Sequence, residues 1–179
     1  GACGEAGGIT TNNESYYSHL LSLRNHGCTE RYFHDEVGYN MRMGGLEGSS
    51  LNVKLKYLPD WNRRRREIAL KYQNGISNEN LQLQSQPDWA ESVYHLFVVT
   101  TQDRERLMKY LNGNNIFPGL HYPVPCHLQK AYEQLGYKEG DCPQAEYLAK
   151  HCLSLPLFAE LSDGEVDYVI DVLNAYKNG

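Results

Sequence analysis

The segment at residues 93–100 constrains the fold more than any other part of the chain. Its apolar side chains alternate onto two faces, with Phe97 and Val99 on one and Leu96 and Val98 on the other. A strand that is apolar on both faces must be covered on both. The pattern therefore predicts a central strand of a sheet that is packed against helices.

Local helix signals lie on both sides of this strand. Asp103 is predicted to begin a helix that Gly113 ends, and Ser162 with Glu165 three residues later has the pattern of a capping box for a last helix. Pro59 interrupts the longest run of apolar residues at helical spacing, so two successive helices are expected to join close to it. These signals predict an α/β chain whose C-terminal half is a small α+β domain.

Four other segments complete the predicted organisation. Short strands are expected at residues 7–11 and 116–122. Residues 28–43 lose periodicity and are rich in polar aromatic side chains, which is typical of a functional loop. Residues 77–92 are rich in Asn, Gln and Ser, and they are predicted to form an exposed loop.

Charge and composition exclude several classes of protein. With 17 Lys and Arg against 22 Asp and Glu, the net charge is −5, so a nucleic-acid partner is not expected. No apolar run approaches the roughly 18 residues that a membrane span needs, so no membrane partner is expected either. The five cysteines are odd in number and widely spaced, which argues against a disulfide framework. A soluble, cytoplasmic protein is predicted.

The densest group of chemically versatile side chains is H-Y-P-V-P-C-H at residues 121–127. Two prolines stiffen the backbone, as a binding loop requires. A rigid turn with partly exposed polar side chains explains the same pattern, and both interpretations stay open. A zinc site from His121, Cys126, His127 and a distant cysteine matches no standard structural spacing, so no metal is predicted.

Two further features have a structural and a functional interpretation. Asn40 precedes the helix expected at Leu46, where it could cap that helix or turn its amide toward an anion. The run Arg63–Arg66 looks like a basic patch, yet consecutive helical residues point in different directions. A solvated helix is therefore expected there.

The chain begins with a glycine-rich segment, G-A-C-G-E-A-G-G at residues 1–8. The segment has neither a basic nor an apolar leader region. Glycine-rich backbone suits tight turns and close approach inside a domain. We therefore expect the chain to be truncated at its N-terminus.

Six sequence blocks occur in a fixed order along nearly the whole chain. They are G-A-C-G-E-A-G-G at 1–8, R-N-H-G at 24–27, G-Y-N-M-R-M at 38–43, R-R-R-E-I-A at 64–69, H-Y-P with H-L-Q at 121–129, and S-L-P-L at 154–157. Together they resemble the DegT/DnrJ/EryC1/StrS family of PLP-dependent sugar aminotransferases. Six ordered blocks indicate the family far more strongly than any one of them.

The resemblance implies a fold type I PLP-dependent transferase. Residues 1–43 would be the truncated end of the large cofactor domain, and residues 44–179 the linker helices and the small α+β C-terminal domain. In the family, the Schiff-base lysine lies a few residues before the block that begins at Gly1. No catalytic residue is therefore expected within the chain, and the 179 residues alone are expected to be inactive.

For the intact enzyme, the resemblance implies transamination of a keto sugar nucleotide with Glu or Gln as amino donor and pyridoxal 5'-phosphate as cofactor. A dTDP-3-keto-6-deoxyhexose is one candidate substrate. Asn40 matches the family's contact to the PLP phosphate of the neighbouring subunit, which implies a homodimer with shared active sites. His121, Tyr122 and His127 match the blocks near the sugar, and they are predicted to bind substrate.

Two alternatives stay open. Some relatives carry histidine in place of the lysine and dehydrate sugars with PMP, and the position that separates the two activities precedes Gly1. A non-catalytic binding or dimerisation module is the third possibility.

Overall fold

A computed structural model describes residues 1–177 and divides the chain into two compact units, Gly1–Pro59 and Asp60–Gly179. The predicted domain boundary between residues 43 and 44 falls inside the first unit. That boundary refers to the domains of an intact enzyme, whereas the two units are defined by packing within this chain, so it stays a prediction.

Helices and short antiparallel strands alternate along the described residues. The helices are α1 (Glu14–Leu23), α2 (Gly45–Leu55), α3 (Leu58–Gly75), α4 (Arg104–Gly113), α5 (Pro143–His151) and α6 (Asp163–Ala175). The strands are β1 (Cys28–Glu30), β2 (Phe33–His34), β3 (Gln82–Leu83), β4 (Phe97–Thr100) and β5 (Cys152–Leu155). Two short 3₁₀-helices cover Cys126–Leu128 and Lys130–Leu135.

The first unit contains α1, the β1–β2 hairpin and α2. Asn13 caps α1 because its side-chain oxygen accepts a hydrogen bond from the Tyr16 amide at 3.1 Å. The strand predicted at residues 7–11 is wrong, since these residues form no regular element. A strand needs a partner for its backbone groups, and none of the described residues pairs with this segment.

The second unit is built around a three-stranded antiparallel sheet in the order β3-β4-β5. The central strand predicted from the apolar segment at residues 93–100 is confirmed for residues 97–100, because β4 lies in the middle with Phe97 opposite Leu155. Residues 93–96 precede the strand and form no regular element. The strand predicted at residues 116–122 is wrong, and only Gly119 forms a bridge, to Ser154 of β5. Pro118 has no N–H to donate to a ladder, which limits pairing there.

Buried apolar side chains from three helices and the sheet form one core in the second unit. The Tyr72 and Phe97 rings lie 5.1 Å apart at its centre. The fully buried members include Ile68, Tyr72, Phe97, Val99, Leu107, Leu111, Leu153, Val166 and Leu173. α2 and α3 are separate helices as predicted, and Pro59 lies in the first turn of α3, where no intrahelical N–H is needed.

The arginine run in α3 is less solvated than its pattern predicts. Arg63 is exposed and pairs with Asp60 and Glu67 of its own helix. The other three guanidinium groups donate to main-chain carbonyls of neighbouring loops: Arg64 to Leu161, Arg65 to Tyr94, His95 and Leu157, and Arg66 to Ser92. The expectation of a solvated helix is therefore wrong for three of the four positions, because each points at a loop that presents free carbonyls.

Neither a membrane span nor a disulfide framework is expected from the sequence. Across residues 1–177, no helix combines the length and the apolar character that crossing a bilayer requires. The thiols of Cys3, Cys28, Cys126, Cys142 and Cys152 are all free.

Candidate functional site

In the first unit, the R-N-H-G and G-Y-N-M-R-M blocks lie side by side. The His26 amide donates to the Tyr39 carbonyl at 2.8 Å, and the Tyr39 amide donates to Leu23 at 2.7 Å. The Met41 amide donates to the Arg24 carbonyl at 2.9 Å. Two segments that are separate in sequence therefore form one backbone-bonded structure.

Two glycines make this close approach possible. Gly27 has φ +68°, and a Cβ there would overlap the Glu36 carbonyl. A Cβ at Gly38 would overlap the main chain of Gly27. A side chain at Gly38 would therefore separate the two blocks, and one at Gly27 would displace Glu36, two residues before the second block.

Asn40 is exposed and pairs across a β-bridge with Asn25. Its Oδ1 accepts a hydrogen bond from Nε of Arg42 at 3.1 Å, and Nδ2 has no acceptor within residues 1–177. The capping interpretation of Asn40 is wrong, because α2 begins at Gly45 with Gly44 as its N-cap. The Asn40 amide is therefore held by Arg42 through its oxygen, and its two N–H donors are available to a ligand.

In the second unit, His121 lies beside the outer edge of the sheet, next to β5. Gly119 exchanges two backbone hydrogen bonds with Ser154, at 2.9 and 2.8 Å. Nδ1 of His121 lies 2.9 Å from Oγ of Ser154. The imidazole occupies the space that a Cβ at Gly119 would need. The ring is thus fixed on one side by a strand residue and a glycine.

Tyr122 lies next to this imidazole and faces outward. Its side chain is 72% exposed, and its ring meets His121 edge to face with centroids 5.4 Å apart. The peptide bond between the two residues is cis. The structure therefore brings the predicted His-Tyr pair together at the surface.

His127 is placed differently. Its side chain is only 9% exposed, and Nε2 lies 3.0 Å from Oε1 of Glu146 in α5. Desolvation raises the pKa of Glu146, but hydrogen bonds from the Gly140 amide, His127 and the Cys142 amide outweigh it and hold the pKa below its ordinary value. The His127 imidazole thus joins the loop at residues 126–142 to α5.

The histidines and cysteines considered for a zinc site do not form a cluster in the described residues. Within the part of the chain that the structure describes, no three His, Cys, Asp or Glu side chains lie close enough to hold a metal ion. Cys126 is exposed, and the thiol of Cys152 lies 3.9 Å from the His121 carbonyl.

Two residues of the site were not predicted from the sequence. Ser154 begins the S-L-P-L block, so the block itself was a signal, although nothing local identified its partner. Glu146 lies in a polar helix with no distinguishing spacing, and its contact to His127 joins positions 19 residues apart. Asn40 belongs to the first unit, and His121, Tyr122 and His127 belong to the second.

Solved structures with the same fold define the class of protein. The structure of DesV from S. venezuelae, determined in complex with a ketimine intermediate, superposes with a TM-score of 0.88 at 33% identity, and the match covers 92% of this chain and 44% of that one. A DegT/DnrJ/EryC1/StrS aminotransferase from Brucella abortus superposes with a TM-score of 0.83 at 27% identity, over 91% of this chain and 44% of that one. The predicted fold class, a fold type I PLP-dependent transferase, is confirmed.

The chain belongs to the DegT/DnrJ/EryC1/StrS aminotransferase family, whose model matches residues 2–174. It is 38% identical to the erythromycin biosynthesis sensory transduction protein EryC1 of Saccharopolyspora erythraea, over 98% of this chain and 48% of that protein. It is 39% identical to the dTDP-3-amino-3,6-dideoxy-alpha-D-galactopyranose transaminase of Aneurinibacillus thermoaerophilus, over 95% of this chain and 46% of that protein. The chain spans about half the length of the curated relatives it matches.

Proposed function

We propose that this chain is part of a PLP-dependent sugar-nucleotide aminotransferase, which moves an amino group from Glu or Gln to a keto sugar carried on a nucleotide. The family match over residues 2–174 is the observation that carries the proposal. The transaminase name of the Aneurinibacillus relative supports a dTDP-linked 3-keto-6-deoxyhexose as the substrate.

Asn40 and Arg42 fit the phosphate of PLP. The Asn40 amide has two N–H donors that are available to a ligand, and the adjacent Arg42 guanidinium adds a positive charge. Amide and guanidinium donors are the groups that bind a phosphate dianion well. When bound, PLP supplies the electron sink that transamination requires. We assign Asn40 to the cofactor phosphate of the neighbouring subunit in a homodimer with shared sites.

His121 and Tyr122 are assigned to the sugar. Both are exposed and in ring contact, so together they offer an imidazole and a phenol at one surface. A hydroxyl-rich sugar needs donors and acceptors in fixed positions. His127 is buried against Glu146. This contact supports an indirect role for His127, which is to hold the loop at residues 126–142 against α5.

The assignment of Asn40 is tested in the protein expressed from the complete gene. We expect Asn40→Ala to weaken PLP retention on dialysis on the order of tenfold, because phosphate loses a hydrogen bond between a neutral donor and an ion. The melting temperature without cofactor is expected to stay unchanged. PLP content after dialysis and thermal unfolding with and without PLP are the measurements.

Asn13→Ala is the matched control. It removes the asparagine that caps α1, so it is expected to cost about 1 kcal/mol of stability without changing PLP retention. If Asn40→Ala loses equal melting temperature with and without cofactor, Asn40 has a structural role and the assignment fails.

A binding module is the second candidate function, since the name of the Saccharopolyspora relative refers to sensory transduction. The codons upstream of Gly1 separate the candidates. Lysine shortly before the glycine-rich block supports an aminotransferase, and histidine there supports a PMP-dependent dehydratase. An initiator codon directly before Gly1 supports the binding module.

A further inference from the structure

The imidazole of His121 is held by a buried hydroxyl. Ser154 is 4% exposed, and its Oγ lies 2.9 Å from Nδ1. The two backbone hydrogen bonds between Gly119 and Ser154 fix the loop against β5. A Cβ at Gly119 would lie 2.5 Å from Cε1 of the ring, so this face of the imidazole is in close contact with the main chain.

The direction of this hydrogen bond follows from where the hydroxyl proton can go. Within residues 1–177, Nδ1 of His121 is the one hydrogen-bond partner of Ser154 Oγ. If Nδ1 carried a proton and donated it to Oγ, the serine proton would be buried with no acceptor. Leaving a buried donor unpaired costs more free energy than a typical hydrogen bond contributes. The serine hydroxyl therefore donates to Nδ1.

A neutral imidazole carries one proton, and the tautomer is set by the hydrogen bond at the other nitrogen. We propose that Ser154 is a positioning residue that keeps neutral His121 protonated at Nε2. Nε2 has no hydrogen-bond partner within the described residues. The imidazole consequently presents an N–H donor to its surroundings.

This inference rests on the proposed function for the identity of the ligand and adds the role of His121 there. An N–H donor suits a ligand oxygen with free lone pairs, as the keto or hydroxyl oxygen of a sugar has. Because Nε2 already carries the proton, neutral His121 cannot accept a proton at that atom. His121 therefore binds and orients the sugar and does not act through Nε2 as a base.

The tautomer is measured by long-range ¹⁵N–¹H NMR on protein labelled with ¹⁵N-histidine, at a pH at which imidazoles are neutral. The His121 signals are assigned by their loss in His121→Asn. We expect the wild-type protein to show the Nε2–H tautomer at His121. Ser154→Ala is expected to shift it toward a mixture of tautomers, and Ser154→Thr, which keeps a hydroxyl, to restore it.

Thr101→Val is the matched control, because it removes another buried hydroxyl, one that has no partner within the described residues. It is expected to leave the His121 signals unchanged. An Nδ1–H tautomer in the wild-type protein overturns the proposal, as does a Ser154→Ala spectrum identical to wild type. If Ser154→Ala does not fold, the wild-type tautomer alone decides.

Kinetics of the complete protein separate this inference from the proposed function. Ser154→Ala is expected to raise KM for the sugar nucleotide on the order of tenfold with a smaller change in kcat, since the lost orientation weakens binding. If no transamination is found but the tautomer responds to Ser154, the proposed function fails and the positioning role stands. If transamination is found but neutral His121 carries its proton at Nδ1, the positioning role of Ser154 fails.

Discussion

Tyr72 shows how a single polar atom is accommodated in an apolar core. Its ring is fully buried against Phe97, and its hydroxyl donates to the Pro156 carbonyl at 2.8 Å. Burial raises the pKa of the Tyr72 hydroxyl well above its ordinary value, so the phenol stays neutral in the folded chain at alkaline pH. The hydroxyl thus links α3 to the segment that follows β5.

Tyr72→Phe keeps the ring and removes the donor. We expect it to lower the free energy of unfolding by about 1–3 kcal/mol, because the Pro156 carbonyl loses its partner. Urea denaturation measures the loss. Tyr132→Phe, at a half-exposed position, is the control and is expected to change stability by less than about 0.5 kcal/mol. Equal effects of the two variants would contradict this account.

The sequence predicts which side chains carry chemistry better than it predicts the surroundings of those side chains. The H-Y-P-V-P-C-H segment was identifiable because versatile side chains and prolines lie within seven residues. Which imidazole faces outward was not, because the burial of His127 depends on Glu146 and the orientation of His121 depends on Ser154. These contacts arise only when distant parts of the chain pack together.

Helices and strands of this chain differ in how locally they are specified. The capping box predicted for α6 is confirmed, since the Ser162 hydroxyl accepts from the Glu165 amide at 3.3 Å and the Glu165 carboxylate accepts from the Ser162 amide at 2.9 Å. Four consecutive residues contain that whole signal. β1 and β2 were missed because they lie in the segment predicted to be an aperiodic loop. β3 and β5 were missed because strand pairing is decided by partners distant in sequence.

The arginine run tests how a helix is joined to its surroundings. Arg65 donates from Nη1 to the carbonyls of Leu157, Tyr94 and His95 at 3.0, 3.3 and 3.3 Å. We expect Arg65→Met to lower the free energy of unfolding by about 2 kcal/mol, because these bonds have a charged donor. Urea denaturation is again the measurement.

Arg63→Met is the control within the same run. Its ion pairs with Asp60 and Glu67 are exposed, and exposed pairs contribute little, so a loss of stability clearly smaller than that of Arg65→Met is expected. If both variants lose the same stability, the carbonyl contacts of Arg65 have no special weight.

Within residues 1–177, three carboxyl groups have a lowered pKa that connects folding to pH. Hydrogen bonds from Arg64 and Lys71 hold the pKa of Asp163 below its ordinary value, and those from Ser162 lower the pKa of Glu165. The pKa of Glu146 is also lowered, as described above. A carboxyl with a lower pKa in the folded state stabilises the fold above its unfolded pKa, and this stabilisation is lost as pH falls through the folded pKa.

The free energy of unfolding is therefore expected to decrease as pH falls below about 5, where unfolded carboxyl groups begin to bind protons. Glu146→Gln should be less stable than wild type at neutral pH and should show a shallower loss in acid. Chemical denaturation over a pH series measures both effects. The carboxylate of Glu139 pairs with Lys150 at the surface. In Glu139→Gln, the free energy of unfolding should therefore change with pH as steeply as it does in the wild-type protein. A Glu146→Gln slope equal to wild type would contradict the assignment.

The bridge between Gly119 and Ser154 has a consequence for aggregation. Exposed strand edges are templates for pairing with other chains, and proteins protect them by covering them or keeping them short. In the sheet of the second unit, one outer strand is β3, which has only two residues. The other is β5, and Gly119 pairs with Ser154 on the outer side of this strand. The loop that carries His121 and Tyr122 therefore also covers the outer edge of β5. Shortening that loop would be expected to promote self-association between chains as well as to remove the candidate site.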